Sequence, residues 1–173
     1  MRARSHHPVA GPAFAVGLLA AVLAVAGWRV DSVPATGALD VRLGVVGSPE
    51  VAVAAADPVL RGRGLRPRGN AARGSLVVRN QTGATLAVGL RASAQDTDVD
   101  AALMVEVRAG DRTLTATTLG RLRGGSAATT TLAPGASRRL SVAVWVRAGA
   151  PSGYQGRSET VTLEPTMRVV GGR

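Results

Sequence analysis

The sequence contains neither cysteine nor lysine, and its only histidines, His6 and His7, lie near the amino terminus. Without cysteine, no disulfide can staple the fold and no thiolate can serve as a nucleophile or metal ligand. Zinc motifs and Ser–His or Cys–His nucleophile pairs need histidine or cysteine, and Schiff-base chemistry needs lysine. We therefore predict that the protein is not an enzyme and carries no cofactor.

Aromatic residues are also scarce, and Phe14, Trp28, Trp145 and Tyr154 are the whole set. The core must therefore consist of Val, Leu and Ala, which suit the faces of β-sheets. The net charge is +10, and every basic residue is arginine. Proteins that bind single-stranded nucleic acid combine such charge with stacking aromatics. Since these are few here and no nucleic-acid motif is recognisable, we predict no nucleic-acid partner.

The amino terminus has the pattern of an export signal. Arg2 and Arg4 precede an apolar run over residues 9–26, which ends in an A-x-A cleavage pattern before Gly27. This pattern predicts cleavage by a signal peptidase between Ala26 and Gly27, and a secreted or cell-envelope protein. The alternative is an uncleaved membrane anchor, because the run approaches the ~20 residues that span a bilayer.

A chain of 173 residues has room for one domain besides such a leader. We predict a signal-peptide helix over residues 1–26, a polar, proline-containing spacer over residues 27–36 and one domain over residues 37–173.

Alternation of apolar and polar residues recurs along this domain and is typical of strands with one buried face. The clearest runs are residues 140–146 and 159–163, and Leu39, Val41 and Leu43 give a first strand. Short runs of this kind, separated by turn residues, predict an all-β fold. We expect an antiparallel jelly-roll or Ig-like β-sandwich.

Three local patterns give more specific predictions. The turn residues 80–83 separate two alternating runs and predict a β-hairpin. Leu119 and Leu122 are expected to lie under the sheet in a connecting segment. Pro165 interrupts the last strand, which predicts a sheet edge or a bulge at that point.

A group of five arginines lies among glycine, proline and asparagine between residues 61 and 73. This composition predicts an exposed loop, which is either simply solvated or a patch that binds an anionic cell-wall polymer or another acidic partner. The candidate residues are Arg61, Arg63, Arg66, Arg68 and Arg73.

Two further features leave alternatives open. Asp96, Asp98 and Asp100 form either a solvated acidic loop or a set of calcium ligands, although the glycine and distal glutamate of an EF-hand loop are missing. Trp145 lies opposite the apolar face of its strand. It is either an exposed anchor for a partner or a residue covered by a second small core or a loop.

Five segments are together similar, in order, to the TasA/camelysin (CalY) family of exported proteins. They are Gly27-Trp28-Arg29-Val30-Asp31, Gly37-Ala38-Leu39-Asp40-Val41, the stretch from Leu65 to Gly83, Leu103 to Leu122, and Leu132-Ala133-Pro134-Gly135-Ala136-Ser137 with Tyr154-Gln155-Gly156-Arg157-Ser158 and Val161-Thr162-Leu163. The resemblance implies a jelly-roll or Ig-like sandwich, exported through a dedicated signal peptidase to the cell surface or biofilm matrix.

Members of the TasA type build extracellular fibres in which an N-terminal strand completes a neighbour's sheet. The resemblance therefore implies a structural protein that forms homo-oligomers or fibres by strand addition. The candidate donor strand contains Leu39, Val41 and Leu43, and the alternative is that it pairs within its own domain. The camelysin branch carries a metalloprotease label, for which the predicted mature chain offers no histidine or cysteine.

Overall fold

The structure, a computed structural model, describes residues 37–94, 98–125 and 129–170. The described residues form two packed β-sheets with one short α-helix and one 3₁₀ helix, which confirms the predicted all-β sandwich. The predicted leader, its cleavage site at Ala26 and Gly27, and the spacer lie outside the described residues.

The elements follow one another in a simple order. They are β1 (Leu39–Val45), β2 (Val51–Ala55), β3 (Leu60–Leu65), β4 (Ala72–Asn80), β5 (Leu86–Ala94), β6 (Leu103–Ala109), β7 (Arg112–Thr118), α1 (Leu119–Gly124), β8 (Thr130–Leu132), β9 (Ser137–Val146), the 3₁₀ helix (Ser152–Tyr154) and β10 (Arg157–Val169). Sheet A has the strand order β3-β1-β10-β5-β8, and sheet B has the order β2-β4-β9-β6-β7. The pairs are antiparallel except for β1 and β10, which run parallel. The expected antiparallel sandwich thus contains one parallel pair.

The core between the sheets is built almost entirely from leucine and valine, as the scarcity of aromatic residues predicts. Every second residue of β9 from Leu140 to Val146 faces inward and is at most 2% exposed. The helix α1 adds Leu119 and Leu122, which are fully buried. The predicted covered connection is therefore correct, and it takes the form of this helix. Tyr154 supplies the one aromatic side chain of the core cluster.

The predicted hairpin around residues 80–83 is wrong. β4 lies between β2 and β9 in sheet B, whereas β5 lies between β10 and β8 in sheet A, so the turn crosses from one sheet to the other. Turn residues mark a reversal of the chain but do not determine which sheet the returning strand joins. The prediction for Pro165 is confirmed, because β10 pairs with β5 there while its pairing with β1 ends at Leu163.

The predicted arginine loop over residues 61–73 is also wrong as a loop. Most of it is strand: β3 ends at Leu65, and β4 begins at Ala72. Gly62 occupies a buried position of β3 where an apolar side chain would mark a strand in the sequence. A Cβ at Gly62 would lie 2.8 Å from Leu65 Cδ1 and 3.0 Å from Ala72 Cβ. Close packing leaves no room for a side chain at position 62. The apolar residue that would have indicated a strand is therefore missing from the sequence.

Candidate functional site

The five arginines of the predicted anion-binding loop lie on different parts of the sandwich. Arg61 and Arg63 alternate with buried positions on the edge strand β3 of sheet A, and Arg73 lies on β4 of sheet B. Only Arg66 and Arg68 lie in the connection between these strands. All five are exposed, but they do not form a single loop.

A different group of arginines comes together on the outer face of sheet B. Arg73 and Arg79 alternate with the buried positions of β4, and Arg139 does the same on the neighbouring strand β9. The register pairs Val77 with Arg139 and Arg79 with Ser137, so that Arg79 and Arg139 are diagonal neighbours. Together with the serines between them, these exposed residues form what we call the basic face: Arg73, Ser75, Arg79, Ser137, Arg139 and Ser141.

The arginines of the basic face form no ion pair within the described part of the chain. No ion pair there involves Arg73, Arg79 or Arg139, whereas five other arginines each lie beside a carboxylate. These five pairs are Arg42–Asp57, Arg91–Glu164, Arg108–Glu106, Arg123–Asp100 and Arg157–Asp98. Diagonal neighbours on a sheet are roughly 7–8 Å apart, so Arg79 and Arg139 repel each other unless an anion lies between them.

Sequence reasoning missed most of the basic face. The outward positions of each strand can be identified from the alternation, and Arg79 and Arg139 occupy such positions. The sequence does not show that β4 and β9, which are some sixty residues apart in the chain, are neighbouring strands.

The basic face adjoins a concavity of about 460 Å³ at one end of the sandwich. Its walls are formed by two turns, one after β4 and one before β9. The lining residues are Arg79, Asn80, Gln81, Thr82, Gly83 and Gly135.

Asn80 holds these two turns together. It is completely buried, and its side-chain amide donates hydrogen bonds to the carbonyl oxygens of Ala84 (2.7 Å), Leu132 (3.1 Å) and Ala133 (3.1 Å). Its Oδ1 accepts hydrogen bonds from the backbone N–H (2.9 Å) and hydroxyl (2.8 Å) of Thr82. This network fixes the end of β4 against the segment leading into β9, and thereby the strands that carry the arginines.

We expect Asn80→Ala to lower the free energy of unfolding by about 2–4 kcal/mol, because one buried hydrogen bond to a backbone carbonyl and two part-buried ones are lost. Urea unfolding would measure the change. Gln81→Ala, at the exposed neighbouring position, is the matched control and should change stability by less than about 0.5 kcal/mol. Equal stability of the Asn80 variant and the wild type would show that the network contributes nothing.

Trp145 lies on the same outer face of sheet B as the arginines. It is half-buried, stands two positions after Ala143 on β9, and pairs in register with Met104 of β6. It therefore lies outside the core between the sheets. One outward position back along β9, at Ala143, lies a depression of about 50 Å³, which is lined by Arg73, Gly74, Glu106, Arg108, Ser141, Val142 and Ala143.

The acidic run is only partly described, since Asp96 lies outside the described residues. Asp98 forms an ion pair with Arg157 (2.6 Å) and Asp100 forms one with Arg123 (3.0 Å). A calcium ion bound by these two carboxylates would compete with both arginines. In the ranges that the structure covers, no three His, Cys, Asp or Glu residues are grouped to hold a metal ion.

The candidate donor strand is β1, which lies between β3 and β10 of its own chain. Leu39, Val41 and Leu43 are at most 3% exposed. In this structure β1 thus completes sheet A of its own domain, which is the alternative that the sequence left open. Exchange of β1 between copies stays a prediction.

Comparison with known proteins adds no assignment. No protein-family model matches the chain, and no curated protein matches its sequence at a significant level. The resemblance to the TasA/camelysin family therefore stays a prediction. Within the described ranges, no helix has both the length and the apolar character needed to cross a bilayer.

Proposed function

We propose that the chain is an exported, non-enzymatic β-sandwich of the cell envelope or extracellular matrix that binds an anionic polymer through its basic face. The leader pattern before residue 27 supports export. The observation that carries the binding function is the alignment of Arg73, Arg79 and Arg139 on two neighbouring strands without an acidic partner among the described residues.

The spacing of these arginines favours a polymer over a small anion. Arg73 and Arg79 are six residues apart on one strand, which corresponds to about 20 Å at ~3.4 Å per residue. A small anion would need donors that converge on one point. Charges spread over this distance suit a ligand with repeated negative groups, and serines between them can donate hydrogen bonds to it.

The triple variant Arg73→Gln, Arg79→Gln, Arg139→Gln is expected to bind long-chain polyphosphate at least about tenfold more weakly than the wild type. The matched control, Arg61→Gln, Arg63→Gln, Arg168→Gln, removes equal charge from exposed positions of sheet A. The affinity of this control for polyphosphate should fall by less than about threefold. Titrations at increasing salt should also weaken wild-type binding, because exposed charges are screened. Equal losses in both variants, or a wild type that binds neither polyphosphate nor polygalacturonate, would contradict the proposal.

Self-assembly by exchange of β1 is the second candidate function. It is favoured by the position of β1, which is the first strand of the sandwich and is held by backbone pairing on both sides. An identical strand from a second copy would make the same hydrogen bonds and bury the same leucines. Restoration of a protein that lacks β1 by a separate peptide with the β1 sequence would test it.

A further inference from the structure

We propose that the anionic polymer is an acidic polysaccharide and that Trp145 is the platform on which one of its sugar rings stacks. This inference rests on the proposed function and identifies the ligand of the same face. It depends on three observations: the placement of Trp145, the depression at Ala143 one outward position away on the same strand, and the polar groups that line this depression.

Trp145 belongs to one outward row of β9 together with Ala143, Ser141 and Arg139. Successive outward residues of a strand lie ~6.8 Å apart, so the row extends for about 20 Å from Trp145 to Arg139. The row is as long as several sugar units. It offers an aromatic surface at one end and positive charge at the other.

The depression at Ala143 has the chemistry of a site for sugar hydroxyls. Ser141 can donate and accept a hydrogen bond, Arg73 can only donate, and Glu106 can only accept while it is ionised. Glu106 is held in place, because it accepts a hydrogen bond from the Thr113 hydroxyl (3.2 Å) and lies 3.7 Å from Arg108. Hydroxyl groups both donate and accept, so they can satisfy this mixed set.

The same carboxylate favours a ligand that can donate hydrogen bonds. The phosphates of polyphosphate and nucleic acids carry no donor groups, so they cannot hydrogen-bond to Glu106, whose own charge lies beside Arg108. A polysaccharide can present hydroxyls to Glu106 and direct its acid groups to Arg73 and Arg139. Charge complementarity and the mixed lining therefore favour an acidic polysaccharide.

Three probes of similar charge separate these ligands: polygalacturonate, polyphosphate and a single-stranded thymidine oligonucleotide. We expect Trp145→Ala to weaken binding of polygalacturonate by about tenfold, or ~1.4 kcal/mol, and to change binding of polyphosphate by less than about twofold. Trp145→Phe should restore most of the loss, because it keeps an aromatic ring. In a Trp28→Phe background, polygalacturonate should shift the emission of Trp145, and polyphosphate should not.

The outcomes distinguish this inference from the proposed function. If the wild type binds none of the probes, the proposed function itself fails. If it binds polyphosphate and polygalacturonate equally and Trp145→Ala changes neither, only the polysaccharide assignment is overturned. Preferential, Trp145-dependent binding of the oligonucleotide would overturn it in favour of nucleic acid. Cooperative thermal unfolding would show that the Trp145 variants are folded.

Discussion

A protein that begins at residue 47, and so lacks β1, is expected to be unfolded. β1 lies between β3 and β10, so its removal leaves β3 without a partner in sheet A and β10 paired with β5 alone. It also removes Leu39, Val41 and Leu43 from the core. Burial of three such side chains contributes roughly 5–9 kcal/mol, which is comparable with the ~5–15 kcal/mol that stabilises a whole domain. Circular dichroism and thermal unfolding would detect the loss.

A synthetic peptide of residues 37–46 is expected to restore cooperative unfolding to the truncated protein. The gap between β3 and β10 offers hydrogen bonds on both sides and apolar sites for alternate side chains. The control peptide carries Leu43→Asp, which places a charge in a fully buried position and should not bind. A truncated protein that folds cooperatively alone would contradict the structural role of β1.

The peptide experiment also tests self-assembly. Restoration would show that β1 can be supplied from outside the chain, which is the first requirement of strand exchange between copies. If the truncated protein stays unfolded with an excess of the wild-type peptide, exchange of β1 loses its physical basis. Binding of an anionic polymer by the intact monomer would be unaffected by that result.

The sequence alone predicts the strands well where apolar residues alternate, as in β1, β9 and β10. It fails where the inward position is glycine, because Gly62 of β3 leaves no apolar signal to distinguish a strand from a loop. It also fails on the partners of the strands. β4 and β5 each have one apolar face. Two such strands can bury these faces either as neighbours in one sheet or from opposite sheets across the core.

The same limit applies to the candidate site. The outward position of Trp145 follows from the alternation along its strand, and this part of the site is predictable from the sequence. The neighbours of Trp145 are not, because Glu106 and Arg73 come from strands whose pairing with β9 depends on the whole fold. The composition shows the excess of arginine, but it does not show which three arginines lie on one face.

Gly74→Ala is expected to destabilise the sandwich by at least about 3 kcal/mol, the upper end of the usual cost of overpacking. A Cβ at Gly74 would overlap the carbonyl oxygen of Val59 and lie 2.9 Å from its carbonyl carbon. Both are backbone atoms, so no side-chain rotation can relieve the contact. β4 or the segment that leads into β3 would have to move, and β3 pairs with β1 in sheet A.

Gly44→Ala is the matched control for this prediction. Gly44 also lies within a strand, β1, but a Cβ there would meet no atom within 4 Å. The substitution should therefore leave stability unchanged or raise it by up to ~1 kcal/mol, because alanine loses less conformational entropy than glycine on folding. Urea unfolding of both variants measures the difference between them. Similar urea midpoints for the two variants would mean that β4 and the segment before β3 are farther apart than the structure shows. A large difference would establish that the packing of the two sheets requires glycine at position 74. Since Gly74 lies between Arg73 and Ser75, the basic face would then depend on a position where only glycine fits.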